Sequence, residues 1–216
     1  MKNAFKSLFQ SLFKTTAQTS NGTSVTVGDA SLDLVDPVSM PDWTLPDPMD
    51  HLTTHFRFRE MIHSNTAERR SIDNTPRRIH VVRFTQLCRE CLEPVRTHFG
   101  SPLTITSGYR SLKLNRAISS HDNSQHVKGE AADFRVNGTA LSTVFEWIVT
   151  ESNIPFDQVI YEFGESGWIH LSHTMRRPNR NQILCAYNKE NSVVYEQFNA
   201  HQIQSQEYRN RYNTGK

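Results

Sequence analysis

Long apolar runs are missing from this chain. Nothing approaches the ~20 residues that a membrane-spanning helix requires, so no transmembrane segment is expected. Cysteine is scarce as well: three in 216 residues, an odd number at uneven spacing, which excludes a disulfide framework. Net charge is only +2, too small for a dedicated nucleic-acid surface. No internal repeat is present. The lone Cys-x-x-Cys pair, Cys88 and Cys91, has no second pair to complete a metal site. Both cysteines fall on the apolar stripe of an expected helix (Phe84, Cys88, Cys91, Val95, Phe99) and are read as buried structural thiols.

What is present divides into three parts. Residues 2–14 place Phe5, Leu8, Phe9, Leu12 and Phe13 at helical spacing among Lys2, Lys6 and Lys14. Three readings of this amphipathic segment stay open: a partner-docking or virion-anchoring helix, a membrane-surface helix, and a targeting peptide. Residues 29–50 hold six Asp and four Pro with no Lys or Arg, which suits an extended tether. A compact domain is expected over 51–180, followed by a polar, Asn- and Gln-rich extension over 181–216. With 216 residues there is room for one domain of ordinary size plus these extensions.

Inside the domain, Thr75-Pro76 is turn chemistry before a helix over about 77–98, with Pro94 late enough to kink or shorten it. Leu103–Ser107 alternates as a half-buried strand, and Gly108 turns the chain to present Tyr109 and Arg110. Ala131–Val136 reads as a second strand and Asn137-Gly138 as a turn. Leu141, Val144, Phe145 and Ile148 mark another helix. Asp157–Glu162 and Trp168–Ser172 form an expected hairpin, with Gly167 available for a left-handed position. Ile183–Ala186 suits a further strand, with a terminal helix beyond it. The sum is an α+β fold: a small antiparallel sheet with flanking helices.

The stretch that organises the chemistry is Ser124-Gln-His-Val-Lys-Gly-Glu-Ala-Ala-Asp133. An imidazole before a Gly turn and a carboxylate on the strand after it can converge on one metal. Zinc accepts such an N/O pair, and a catalytic site needs only three protein ligands. His170, in the strand-like run Trp168-Ile-His-Leu-Ser172, is the natural third donor, because an unpartnered buried imidazole there would be costly. Alternation sends His173 to the opposite face, and His121 reads as an exposed loop residue.

These motifs resemble the zinc D-alanyl-D-alanine carboxypeptidase family, whose relatives include vancomycin-resistance D,D-dipeptidases, phage L-alanyl-D-glutamate endolysins and, more distantly, the hedgehog signalling domain. The likeness extends upstream to Ser107-Gly-Tyr-Arg-Ser111 and Ser71-Ile-Asp-Asn-Thr-Pro76, covering roughly residues 51–180. It implies Zn2+ held by His126, Asp133 and His170, and a hedgehog- or D,D-peptidase-like fold. Arg110 matches the family's substrate-side arginine; its plain alternative is a surface salt bridge. Tyr109 and Ser124 are further substrate-side candidates, although Ser124 serves equally well as a turn cap. Glu162 is the expected general base, on the reasoning that a hairpin symmetric about Ser166 sets it across from His170; Glu165, at the tip and facing solvent, is the fallback. The implied activity is hydrolysis of a peptidoglycan stem peptide, at its D-Ala end or within it. The absence of a secretory pattern suits a phage lysis or virion-associated enzyme. The competing readings are a non-catalytic zinc-binding module and a structural virion protein.

Overall fold

A computed structural model describes residues 44–190 and 192–198 of the chain. The expected helix over residues 2–14 and the terminal helix lie outside the described residues.

The described chain opens on a loop tied to the first helix, α1 (Phe58–Ile62). The Phe58 amide donates to Asp50 O at 2.9 Å, the Arg59 amide to Pro48 O at 3.0 Å, and the Arg57 guanidinium to Met49 O at 3.0 Å. After a short helix α2 (Asn65–Arg69), capped by Ser64, the Ile72–Pro76 stretch is pinned by Asn74. The Asn74 amide donates to the carbonyls of Ile62 and Tyr109 and accepts the Ser111 N–H at 2.7 Å. One residue thus locks the loop after Gly108 to the start of the domain.

The expected single helix over 77–98 is three pieces: α3 (Arg78–Leu87), a π-helical turn (Cys88–Leu92) and α4 (Glu93–Phe99). Pro94 explains the break. It has no N–H for the α-helical ladder and its ring crowds the preceding turn, so the wider π turn absorbs the mismatch upstream. Cys88 and Cys91 are fully buried beside Phe84, Leu87, Leu92 and Val95, and burial pushes both thiols up, away from reactivity. Gly100, at φ +62°, ends the helix.

Six strands follow: β1 (Leu103–Ser107), β2 (Ala131–Val136), β3 (Gln158–Glu162), β4 (Trp168–Ser172), β5 (Gln182–Lys189) and β6 (Ser192–Gln197). Helix α5 (Leu112–Ala117) lies between β1 and β2, and α6 (Leu141–Thr150) between β2 and β3. The order across the sheet is β1-β2-β4-β3-β5-β6. All pairs are antiparallel except β3 with β5. The hairpin returns the chain to the start of β3, and the next segment is tied there by the Gln182 amide on Asp157 O at 3.0 Å. β5 therefore runs in the direction of β3. The second edge strand, β6, was not anticipated, because its alternation is broken by polar residues on both faces.

Two corrections concern the β3–β4 hairpin. Its register pairs Ile160 with His170 and Glu162 with Trp168, two residues away from the expected pairing. An even shift keeps every side chain on its face, so Glu162 still shares a face with His170. The left-handed positions at the tip are Phe163 and Gly164, not Gly167. Glycine is needed at 167 for a different reason: a Cβ there would overlap the Glu162 carbonyl oxygen.

Helix α6 buries Leu141, Val144, Phe145 and Ile148, and the Phe145 ring lies 5.4 Å from that of Tyr161. It covers the sheet face that carries Phe134, Tyr161 and Ile169. Cross-strand pairing puts Asp133, Glu162 and His170 together on the other face.

Candidate metal centre

His126 comes from the turn-rich segment before β2. The Ser124 hydroxyl accepts the His126 N–H at 3.3 Å, the turn-capping contact among its two alternative roles. Gly129 follows at φ +71°, where a Cβ would meet His80 O at 2.9 Å, so only glycine closes this turn without strain. Asp133 sits mid-strand in β2, directly paired with His170 in β4. The local sequence sets the turn, and the sheet register supplies the partner.

Each imidazole is held from behind. His126 Nδ1 lies 2.7 Å from Gly108 O, which can only accept, so Nδ1 carries the proton and Nε2 faces inward bare. His170 Nε2 lies 2.9 Å from Gln125 Oε1, leaving Nδ1 inward. Asp133 Oδ1 is 3.2 Å from His126 Nε2 and 2.9 Å from His170 Nδ1. The three ligand atoms fall within 4.8 Å of one another. His126 is 3% exposed, Asp133 6% and His170 6%. Three converging acceptors, shielded from water, repel one another unless a cation lies between them. Two imidazole nitrogens and one carboxylate oxygen are a donor set that fits zinc.

Burial opposes ionisation of Asp133; with no metal between them, protons shared from the facing imidazole nitrogens, His126 first, offset it and hold the carboxyl below the usual range, the part a bound cation takes over. Burial also lowers the pKa of His126, against the pull of Asp133, which favours the neutral ligand form. Glu162 goes the other way. Burial first, and the negative charge of Asp133 second, raise its pKa to about 7, with His170 and Arg110 pulling partly back. In the metal-free cluster this carboxyl therefore resists ionisation, and a buried acid beside a metal site is a candidate to take and return a proton.

Arg110 reaches the cluster. Its Nη2 donates to Asp133 Oδ2 at 3.3 Å, Nε to Ser107 Oγ at 3.1 Å and Nη1 to Asn115 Oδ1 at 3.3 Å. This is a largely buried contact with a proposed ligand, not a surface salt bridge. Asn115, fully buried, also donates to His121 O at 2.7 Å and so braces the loop that leads to His126. Tyr109 is buried with its ring stacked on His80 at 4.7 Å. His121 is exposed, and His173 lies past the end of β4 with its N–H on Glu130 O.

Glu165 does not face solvent. Its carboxylate accepts the Leu141 N–H at 2.7 Å, the Ser142 N–H at 2.9 Å and the Tyr161 hydroxyl at 3.1 Å. It caps the N-terminus of α6, which accounts for it without any part in the chemistry. Two residues in the neighbourhood were not singled out in the sequence. Gln125, between Ser124 and His126, has no local pattern that marks it. Tyr195, across the sheet from Ala186 and thence Glu162, lies on the metal-facing side of β6. The residue is 53% exposed, and its partial burial, then the negative charges of Glu162 and Asp133, raise its phenol above the ordinary value.

Comparison with known families matches residues 54–172, more than half the chain, to Peptidase M15. The chain belongs to the peptidase M15 family. M15 peptidases are zinc-dependent, in keeping with the buried His-Asp-His group. The M15 match contains the three candidate ligands, Arg110 and Glu162; it ends with β4 and leaves β5 and β6 outside. No curated protein matches the chain.

Proposed function

We propose that the protein is a zinc-dependent peptidase that hydrolyses stem peptides of peptidoglycan, at a terminal D-Ala or within the stem. The observation that carries this reading is a buried His126–Asp133–His170 cluster with the raised carboxyl of Glu162 on the same sheet face. Zinc, when bound, supplies a Lewis acid for the scissile carbonyl and lowers the pKa of water. Glu162 is placed to take the proton of the attacking water and return it to the leaving amine. Arg110 uses three of its five N–H donors on Ser107, Asn115 and Asp133, and two remain for a peptide carboxylate or for charge developing on the carbonyl oxygen. Its contact with Asp133 Oδ2 also turns Oδ1 toward the imidazoles. Tyr195 flanks the cluster from β6 and offers a hydroxyl to the substrate backbone.

A zinc-holding module without catalysis would need neither a buried carboxyl on the face of the cluster nor an arginine beside it. The test is digestion of purified peptidoglycan by the zinc-loaded protein, with new termini identified by mass spectrometry. Release of D-Ala marks a carboxypeptidase, and internal stem fragments mark an endopeptidase. Full zinc occupancy with no cleavage of peptidoglycan or soluble muropeptides would sink the reading and favour the module. Attachment to phage particles through residues 2–14 would bring the activity to the cell wall, and co-purification with particles tests it.

A further inference from the structure

Gln125 touches three groups at once. Its Nε2 donates to Asp157 Oδ2 and to Ser172 Oγ, both at 2.8 Å, and its Oε1 lies 2.9 Å from His170 Nε2. An amide can turn either end toward the imidazole, and the two choices have opposite consequences for the ring. With oxygen toward His170, the ring proton must sit on Nε2, and Nδ1 faces Asp133 as a bare donor for a metal. With the NH2 toward His170, Nε2 must accept. The proton then moves to Nδ1, and the ring cannot ligate from that side.

The groups behind the amide decide between these. Ser172 Oγ spends its own proton on Gln158 O at 3.2 Å, so toward Gln125 it is an acceptor. Asp157 is buried, which opposes ionisation, but Arg180 and Arg177 hold its carboxyl below the usual range. Arg177 donates to both its oxygens at 2.6 and 3.0 Å, and Arg180 Nη2 to Oδ2 at 2.7 Å. Two acceptors therefore face the NH2 end, and only the oxygen is left for His170.

We propose that Gln125, aimed by Asp157 and its two arginines, is a positioning residue that sets the tautomer of His170 for metal binding. The proposal rests on the zinc reading above. The Asp157 carboxylate also holds the segment before β5, through Arg177, Arg180 and the Arg180 N–H at 3.1 Å, so its loss would disturb the fold, and Gln125 is the residue to test. Arg177 and Arg180 lie beyond the residues matched to the family, so the connection after β4 becomes part of the metal site's support.

The experiment uses the full chain and its Gln125→Leu variant, with zinc affinity measured by competition against a chelator. Long-range proton–nitrogen spectra of 15N-histidine protein, loaded with zinc, report the ring protonation. His170 in the wild type should carry its proton on Nε2. Gln125→Leu should bind zinc on the order of 10–100-fold more weakly, the usual loss when a ligand's outer partner is removed. A variant that holds zinc as tightly as wild type, with only a lower melting temperature, would show a structural role and overturn the proposal. So would a wild-type His170 protonated on Nδ1, a measurement that decides the matter even if the variant does not fold. The first result leaves the peptidase reading standing; the second would also take His170 out of the ligand set, and digestion of peptidoglycan by the same zinc-loaded sample tells whether that reading falls with it. A wild type that takes up no zinc overturns both.

Discussion

In the metal-free protein, Glu162→Gln should increase stability, and by more as pH rises. The Glu162 carboxyl is 8% exposed and has its pKa raised from 4.5 to about 7 by burial and by Asp133. An acid whose folded pKa exceeds its unfolded one favours folding most below the unfolded value. That contribution is lost as pH climbs from about 4.5 to about 7, because the unfolded chain ionises freely while the folded one resists. Glutamine copies the protonated acid and carries no such loss. A tenfold change in an acid's ionisation constant is worth about 1.36 kcal/mol, so the advantage of the variant is about 1 kcal/mol at pH 5 and about 3 kcal/mol at pH 8. Urea unfolding of both proteins in excess chelator, at those two pH values, measures the difference. Saturating zinc should shrink it, since a nearby cation stabilises the carboxylate, and the same substitution should cut peptidase turnover on the order of 10²–10⁴. An equal difference at both pH values would refute the reasoning, because Glu162 would then not be resisting ionisation. Unchanged turnover with zinc bound would remove it as the base.

Three further outcomes follow from the geometry. His126→Ala and His170→Ala should each lose most bound zinc by elemental analysis, while His173→Ala keeps it; zinc loss on His173→Ala alone would contradict the placement of His170 opposite Asp133. Glu165→Ala removes the side-chain acceptor for two amides at the start of α6 and should cost about 1–2 kcal/mol in denaturant unfolding. Zinc content of the folded Glu165→Ala protein should not change, and a dead enzyme of normal stability would restore Glu165 as a candidate base. Tyr195→Phe deletes only a hydroxyl and should raise KM on muropeptides several-fold, by about 1 kcal/mol of lost hydrogen bonding, with zinc retained. A wild-type KM would place the phenol outside the substrate path.

The candidate ligands were legible because strand and turn geometry is local physics. A turn closed by Gly129 and a strand of period two bring His126 and Asp133 to one place, and alternation assigns His170 rather than His173 to the same face. Strand parity also kept Glu162 on the expected face. The expected hairpin register was two residues off, but an even slip leaves the face unchanged. The tip itself was misjudged: Phe163 adopts a left-handed conformation that sequence preference assigns to glycine, and this turns Glu165 back onto α6.

By itself, then, the sequence determined the α+β class, most of the elements, three candidate acceptors for a metal and the shared face of His170 and Glu162, because strand and helix periods are short-range. Only the tertiary structure decided what surrounds them. Gln125 and Asp157 are 32 residues apart, Arg110 and Asp133 are 23 apart, and Glu165 reaches back 24 residues to Leu141. Tyr195 meets the site's charges only because β5 lies parallel to β3 and carries β6 beside it. Each of these is a polar residue of a type that usually faces water, and no local pattern names the group that each one meets. Their partners are set only once the sheet has closed, which leaves Gln125, Arg110 and Glu165 to be satisfied by the protein rather than by water, while Tyr195 stays half exposed at the edge.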